Sequence, residues 1–74
     1  MKTAHGYDII EMYKIDANRA LVLIERQGEL DNWVTWTMNI ATGECVNGEY
    51  CSTFEKGKQS FSKRKEVFQQ LNKI

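Results

Sequence analysis

The chain is predicted to fold as an α+β domain: a four-stranded antiparallel meander sheet with one C-terminal helix packed on one face (ββββα). Three observations predict it. Val34, Trp36, Met38 and Ile40 alternate with Trp33, Thr35, Thr37 and Asn39, the period of a half-buried strand. Ala20, Leu21, Val22, Leu23 and Ile24 form an unbroken apolar run, as a central strand covered on both faces would require. After Cys51 the period lengthens: Phe54, Phe61 and Phe68 stand seven apart, and Val67, Leu71 and Ile74 extend the same helical stripe.

The first long strand runs from Tyr7 to Ile15, with Ile9, Tyr13 and Ile15 on one face and Ile10 and Met12 on the other. Residues 1 to 6 precede it without a pattern and are expected to be mobile. Asp16, Ala17, Asn18 and Arg19 supply turn chemistry before the central strand. Gln27 to Asn32, with Gly28 inside, connects that strand to the alternating one. Ala41, Thr42, Gly43 and Glu44 then form a tight turn into a fourth strand near Cys45 to Cys51. Asn47-Gly48 is the strongest hairpin dipeptide present, but a turn there leaves only two or three residues for each flanking strand. Gly48 is therefore read as a bulge, or as bare backbone under a large neighbour, with Trp36 the expected one.

Ser52, Thr53, Phe54 and Glu55 have the form of a capping box at the head of the helix. Gly57 weakens the first turn by up to about 1 kcal/mol relative to alanine, which leaves a start nearer Ser60 open. Lys56, Lys58, Lys63, Lys65 and Lys73 fall away from the apolar stripe, and Arg64 snorkels along its edge.

Seventy-four residues without proline make a single domain, residues 1 to 74, with a thin core and no linker or repeat. No apolar run approaches the roughly 20 residues of a membrane span, and the N-terminus lacks the apolar stretch of a secretory signal, so a cytoplasmic protein is expected. Cys45 and Cys51 are six apart; on one extended strand about 3.3 Å per residue separates them beyond disulfide reach. Only a hairpin between them would bring them close. With His5 the single histidine, no metal or cofactor is expected.

The neutral total charge conceals a division. Residues 55 to 74 carry six basic and two acidic groups, a net of +4, whereas residues 1 to 54 carry four and eight, a net of −4. Such asymmetry points to an interaction without naming the partner.

Val34-Thr35-Trp36, Asn39, Thr42-Gly43, Gly48-x-Tyr50, and a closing helix with Glu55, Phe61 and Arg64 form a motif set over about residues 33 to 64. This set resembles a group of short uncharacterised proteins of Gram-positive bacteria and their phages. Those chains share a V-T-W strand, a G-H-Y-F-type strand and a helix ending D-F-x-x-R. The chain departs from them at Glu49, Cys51 and Ser60, where the pattern prefers His, Phe and Asp, so those side chains are not taken as a site. The resemblance implies a phage or mobile-element origin and no transferable activity.

Catalysis is not expected: there is no nucleophile elbow, phosphate loop or metal motif, and the acids sit mostly in turns or at strand ends. Glu11, inside the first long strand, reads as a charge that blunts a sheet edge. Two surfaces are candidates for binding. If the helix covers the Val34/Trp36/Met38/Ile40 face, Trp33 and Thr35 look outward with part of the central strand, offering a protein contact or a homodimer face. The acidic sheet edge of Asp8, Glu25, Glu29 and Asp31 would suit a site built for nucleic acid. The expected function is thus a small non-catalytic binding protein acting by protein–protein contact, as an inhibitor or modulator of a host defence system. The rival is a single-stranded nucleic-acid binder using Lys56, Lys58, Lys63 and Lys65.

Overall fold

The computed structural model describes residues 3–4, 6–28 and 30–71 of the chain. Four long strands follow one another as an antiparallel meander: β2 (Tyr7–Lys14), β3 (Arg19–Glu25), β4 (Trp33–Asn39) and β5 (Cys45–Cys51). A two-residue strand, β1 (Thr3–Ala4), folds back on Tyr7 and Asp8 at the outer edge. The expected mobility of residues 1 to 6 lies outside the described residues at 1, 2 and 5; Thr3 and Ala4 are paired. The helix α1 (Phe54–Leu71) closes the chain.

Each turn is held by the local chemistry its sequence provides. The Asp16 carboxylate accepts from the backbone N–H groups of Asn18 and Arg19, both at 2.8 Å, and pairs with the Arg19 guanidinium at 2.9 Å. These bonds, the Asn18 N–H first and then the Arg19 side chain, hold its pKa below the ordinary carboxylate value. Asn39 Oδ1 accepts from the N–H groups of Ala41 and Thr42, and Gly43 takes φ +78°, which completes the β4–β5 turn. Backbone bonding from Arg26 N–H to the Asn32 carbonyl, at 2.6 Å, closes the β3–β4 loop.

The β4–β5 ladder is continuous except for a register shift between Thr35 and Thr37, opposite Asn47 and Gly48. Asn47 there adopts φ 56°. A Cβ on Gly48 would lie 2.7 Å from Trp36 Nε1, so the indole rests on bare backbone. The dipeptide that could have made a hairpin makes a bulge beneath a large ring.

β3 is buried on both sides, as its apolar run requires. Ala20, Val22 and Ile24 join Val34, Trp36 and Met38 on one face, while Leu21 and Leu23 meet Phe61 and Ile15 on the other. The helix lies on the second face, contrary to expectation. It covers Leu21, Leu23, Trp33, Thr35 and Thr37, so Thr35 is fully buried rather than outward-facing. The opposite face needs no helix, because Tyr7, Ile9, Ile40 and Cys45 pack around its centre. The Tyr7 and Trp36 rings approach to 6.5 Å although β3 lies between their strands, and Tyr50 meets Trp36 edge-on at 6.5 Å.

A second face assignment also changes. β2 carries a register shift between Ile9 and Glu11, so Ile9 packs with Ala20, Val22 and Ile24 while Tyr13 and Ile15 pack beneath the helix. An extra residue in one strand reverses the alternation beyond it.

α1 begins at Phe54, not near Ser60, and its cap is Thr53, one residue later than the capping-box spacing suggested: Thr53 Oγ1 accepts from Lys56 N–H at 3.1 Å. Gly57 does not mark a weak start. A Cβ there would stand 3.0 Å from Trp33 Cβ and 3.3 Å from Leu23 Cδ1, so the glycine lets the helix approach the sheet. The phenylalanine stripe is only partly interior. Phe61 is 1% exposed and Phe68 half-buried, but Phe54 is 47% exposed. Val67 and Leu71 are also exposed, and Ile74 lies outside the described residues.

Candidate functional site

The acidic residues gather where β2 begins and β3 ends. The pairing of Ile9 with Ile24 brings Asp8 and Glu25 to the same end of the sheet, and both line a shallow groove with Tyr7 and Gln27. Glu25 is half-buried and accepts from Asn32 Nδ2 at 3.3 Å, whereas Asp8 and Asp31 are exposed. Glu29, the fourth member expected there, lies outside the described residues. Among the described residues Arg26 lies at this end, and the exposed Lys56 stands beside Cys51 near Asp31. Arg26 stacks on the Tyr50 ring, 4.8 Å from its centroid, and donates to the Asp31 carbonyl at 3.3 Å. Three described carboxylates therefore stand near one engaged guanidinium and one exposed ammonium, Lys56.

The lysines of α1 do not form one solvated back. Lys58 pairs with Glu11 across to β2, which gives that strand carboxylate a partner. Lys65 sits over the Tyr13 ring, 5.5 Å from its centroid. Only Lys56 and Lys63 of the expected set are exposed, and Glu55 and Glu66 share the groove they line. Arg64 does not run along an edge. Its Nη1 donates to the Thr35 carbonyl and Oγ1 at 3.1 and 2.9 Å, and its Nη2 to Thr37 Oγ1 at 3.2 Å.

A polar cluster thus lies between helix and sheet. Thr35 Oγ1 and Ser60 Oγ share a hydrogen bond of 3.0 Å, and Ser60 also donates to the Glu49 carboxylate. Burial draws the Arg64 pKa down, and the Glu49 charge partly offsets that. Sequence reasoning left Glu49 and Ser60 outside any site, yet they join Thr35 and Arg64 in one hydrogen-bonded group. The available signal was their company: Gly57, Ser60 and Arg64 share the helical face of Phe61, where small and polar residues would otherwise be out of place. Thr35 and Ser60 are buried, Arg64 is half-buried and Glu49 is exposed; their mutual hydrogen bonds hold the helix in one register.

Trp33, expected in the open, is half-buried: its Cβ touches Gly57, and its ring meets Phe54 edge-on at 4.8 Å. Beside it, the Cys51 thiol is pushed above its ordinary pKa by burial and by the Glu49 and Asp31 charges, with Lys56 opposing. Cys45 and Cys51 are both free thiols. The sheet face expected to receive a second copy is therefore occupied by α1. Among the described residues no group of three or more His, Cys, Asp or Glu side chains could hold a metal ion, and no helix is long and apolar enough to cross a membrane. Compared with known protein families, curated proteins and solved structures, the chain matches none.

Proposed function

We propose that this is a small non-catalytic binding protein that acts by protein–protein contact through the acidic end of its sheet. The observation that carries this reading is the contrast between its charges. Asp8, Glu25 and Asp31 gather at one end with no ion pair among the described residues, whereas the half-buried Lys58, Arg64 and Lys65 are engaged with Glu11, with Thr35 and Thr37, and with Tyr13. An acidic surface favours a basic partner and speeds its approach. The resemblance to short phage and bacterial chains supports a mobile-element origin and a cytoplasmic setting in the host. There the acidic end inhibits or modulates a defence protein, such as a nuclease, by occupying a site built for a phosphate backbone.

Single-stranded nucleic acid bound at Lys56 and Lys63 is the competing reading, because those two ammonium groups remain exposed. Fluorescence anisotropy with a labelled single-stranded oligonucleotide at about 50 mM salt separates the two. No binding is expected. Binding that falls with added salt and disappears on charge reversal of Lys56 and Lys63 would replace the protein-contact reading.

A further inference from the structure

Leu30 is 94% exposed, an apolar side chain held almost wholly in water at the tip of the β3–β4 loop. The loop beneath it is fastened on both sides. Its base is closed by the Arg26–Asn32 backbone bond, and Asn32 Nδ2 reaches Glu25 while Arg26 reaches the Asp31 carbonyl. Gly28, at φ +91°, turns the chain into the tip. Leu30 is therefore presented on a tied loop rather than a slack one.

The same end of the sheet carries a second exposed apolar group. Trp33 opens β4 three residues after Leu30, Cys51 pairs with it across the ladder, and its ring meets Phe54 at 4.8 Å. Leu30, Trp33 and Phe54 thus mark one end of the molecule. Glu25 and Asp31 flank the loop, and Glu55 and the exposed Lys56 follow Phe54 in the first helical turn, so three carboxylates outnumber one exposed ammonium. An apolar centre with an acidic rim is the chemical complement of a lysine- or arginine-ringed apolar pocket.

Building on the protein-contact reading, we propose that this end is the docking surface, with Leu30 and Phe54 as anchors. Its occupant is a different protein, presenting an apolar pocket rimmed by basic side chains. A second copy fits less well: its Lys58 and Lys65 are engaged with Glu11 and Tyr13, its Arg64 is half-buried and bonded to Thr35, and its exposed Lys56 and Lys63 share their groove with Glu55 and Glu66. Acidic end against basic helix would also be a head-to-tail contact that propagates rather than closes.

The test uses the whole chain, labelled with 15N, and a short amphipathic peptide of leucine and lysine as the basic apolar probe. Amide shifts are expected at residues 25 to 33 and 54 to 55, and a matching leucine–glutamine peptide should bind far more weakly. Leu30→Ser should weaken the lysine peptide about tenfold and leave the melting temperature unchanged, since the side chain touches so little. Asp31→Lys should weaken it as well. Binding with shifts elsewhere, or unaltered by Leu30→Ser, overturns the docking surface and leaves the protein-contact reading standing. Binding of oligonucleotide at Lys56 and Lys63 without peptide binding overturns both. Binding of neither probe, or sedimentation showing head-to-tail growth of the protein alone that Leu30→Ser abolishes, overturns the docking proposal.

Discussion

On one face of the sheet Ala20, Val22, Ile24, Val34 and Met38 are sealed by side chains of the sheet itself; on the other, Leu21 and Leu23 have α1 above them. The face with the more regular apolar pattern is the one without the helix. It is closed by Tyr7, Trp36, Ile9 and Ile40, whose size lets them lean over small and branched neighbours. The helix-covered face holds a smaller apolar group centred on Phe61 and a polar group of Thr35, Glu49, Ser60 and Arg64. Apolar area drives burial without direction, whereas hydrogen bonds demand particular partners at particular distances. The first face thus supplies stability, and the second specifies where the helix sits.

The largest expected effect tests the first half of that contrast. Trp36→Ala removes the ring that spans from Tyr7 to Tyr50, and should destabilise the domain by about 3–5 kcal/mol in urea unfolding. A loss below about 1 kcal/mol would mean the self-covered face is not the main apolar core. Next, Arg64→Ala withdraws the donors to Thr35 and Thr37 and should cost about 1–3 kcal/mol. Arg64→Met, which keeps the aliphatic stem, should recover the packing part of that loss. The distinctive readout is hydrogen exchange: α1 amides should lose more protection than those of β3, because the cluster secures the helix rather than the sheet. Equal loss in both would show that the two faces open as one unit. The smallest effect is the most discriminating in sign. Alanine normally gains about 1 kcal/mol over glycine within a helix. At position 57 its Cβ would press on Trp33 Cβ and Leu23 Cδ1, so Gly57→Ala should be neutral to about 1 kcal/mol destabilising by thermal melting. A clear gain would show that the helix has room to lift from the sheet.

The features legible in the chain were those whose causes lie close in sequence. Asp16, Asn39 and Gly43 make the turns their types favour, each through contacts within four residues. The four long strands and the terminal helix follow from their periods, and Gly48 under Trp36 follows from refusing too short a hairpin. Of the acidic group, Asp8 and Glu25 do share a groove, with Asp31 on the adjoining loop. What failed depended on parity and distance. The bulge beside Ile10 moved Ile9 away from Tyr13, because one added residue reverses every later side chain. Thr35 and Ser60 are 25 residues apart, and Arg64 and Thr35 are 29 apart. No local rule joins them. The lysines expected to share a surface separated for a like reason: only the folded sheet brings Glu11 beneath Lys58 and Tyr13 beneath Lys65.

By itself the sequence determined the ββββα order, the antiparallel meander and the burial of β3 on both sides, since these follow from spacing and short-range sterics. Only the tertiary structure decided which face the helix covers, because both faces offer apolar area and hydrophobic burial does not distinguish them. The choice fell to a glycine that permits close approach and to polar groups that find partners on one side alone.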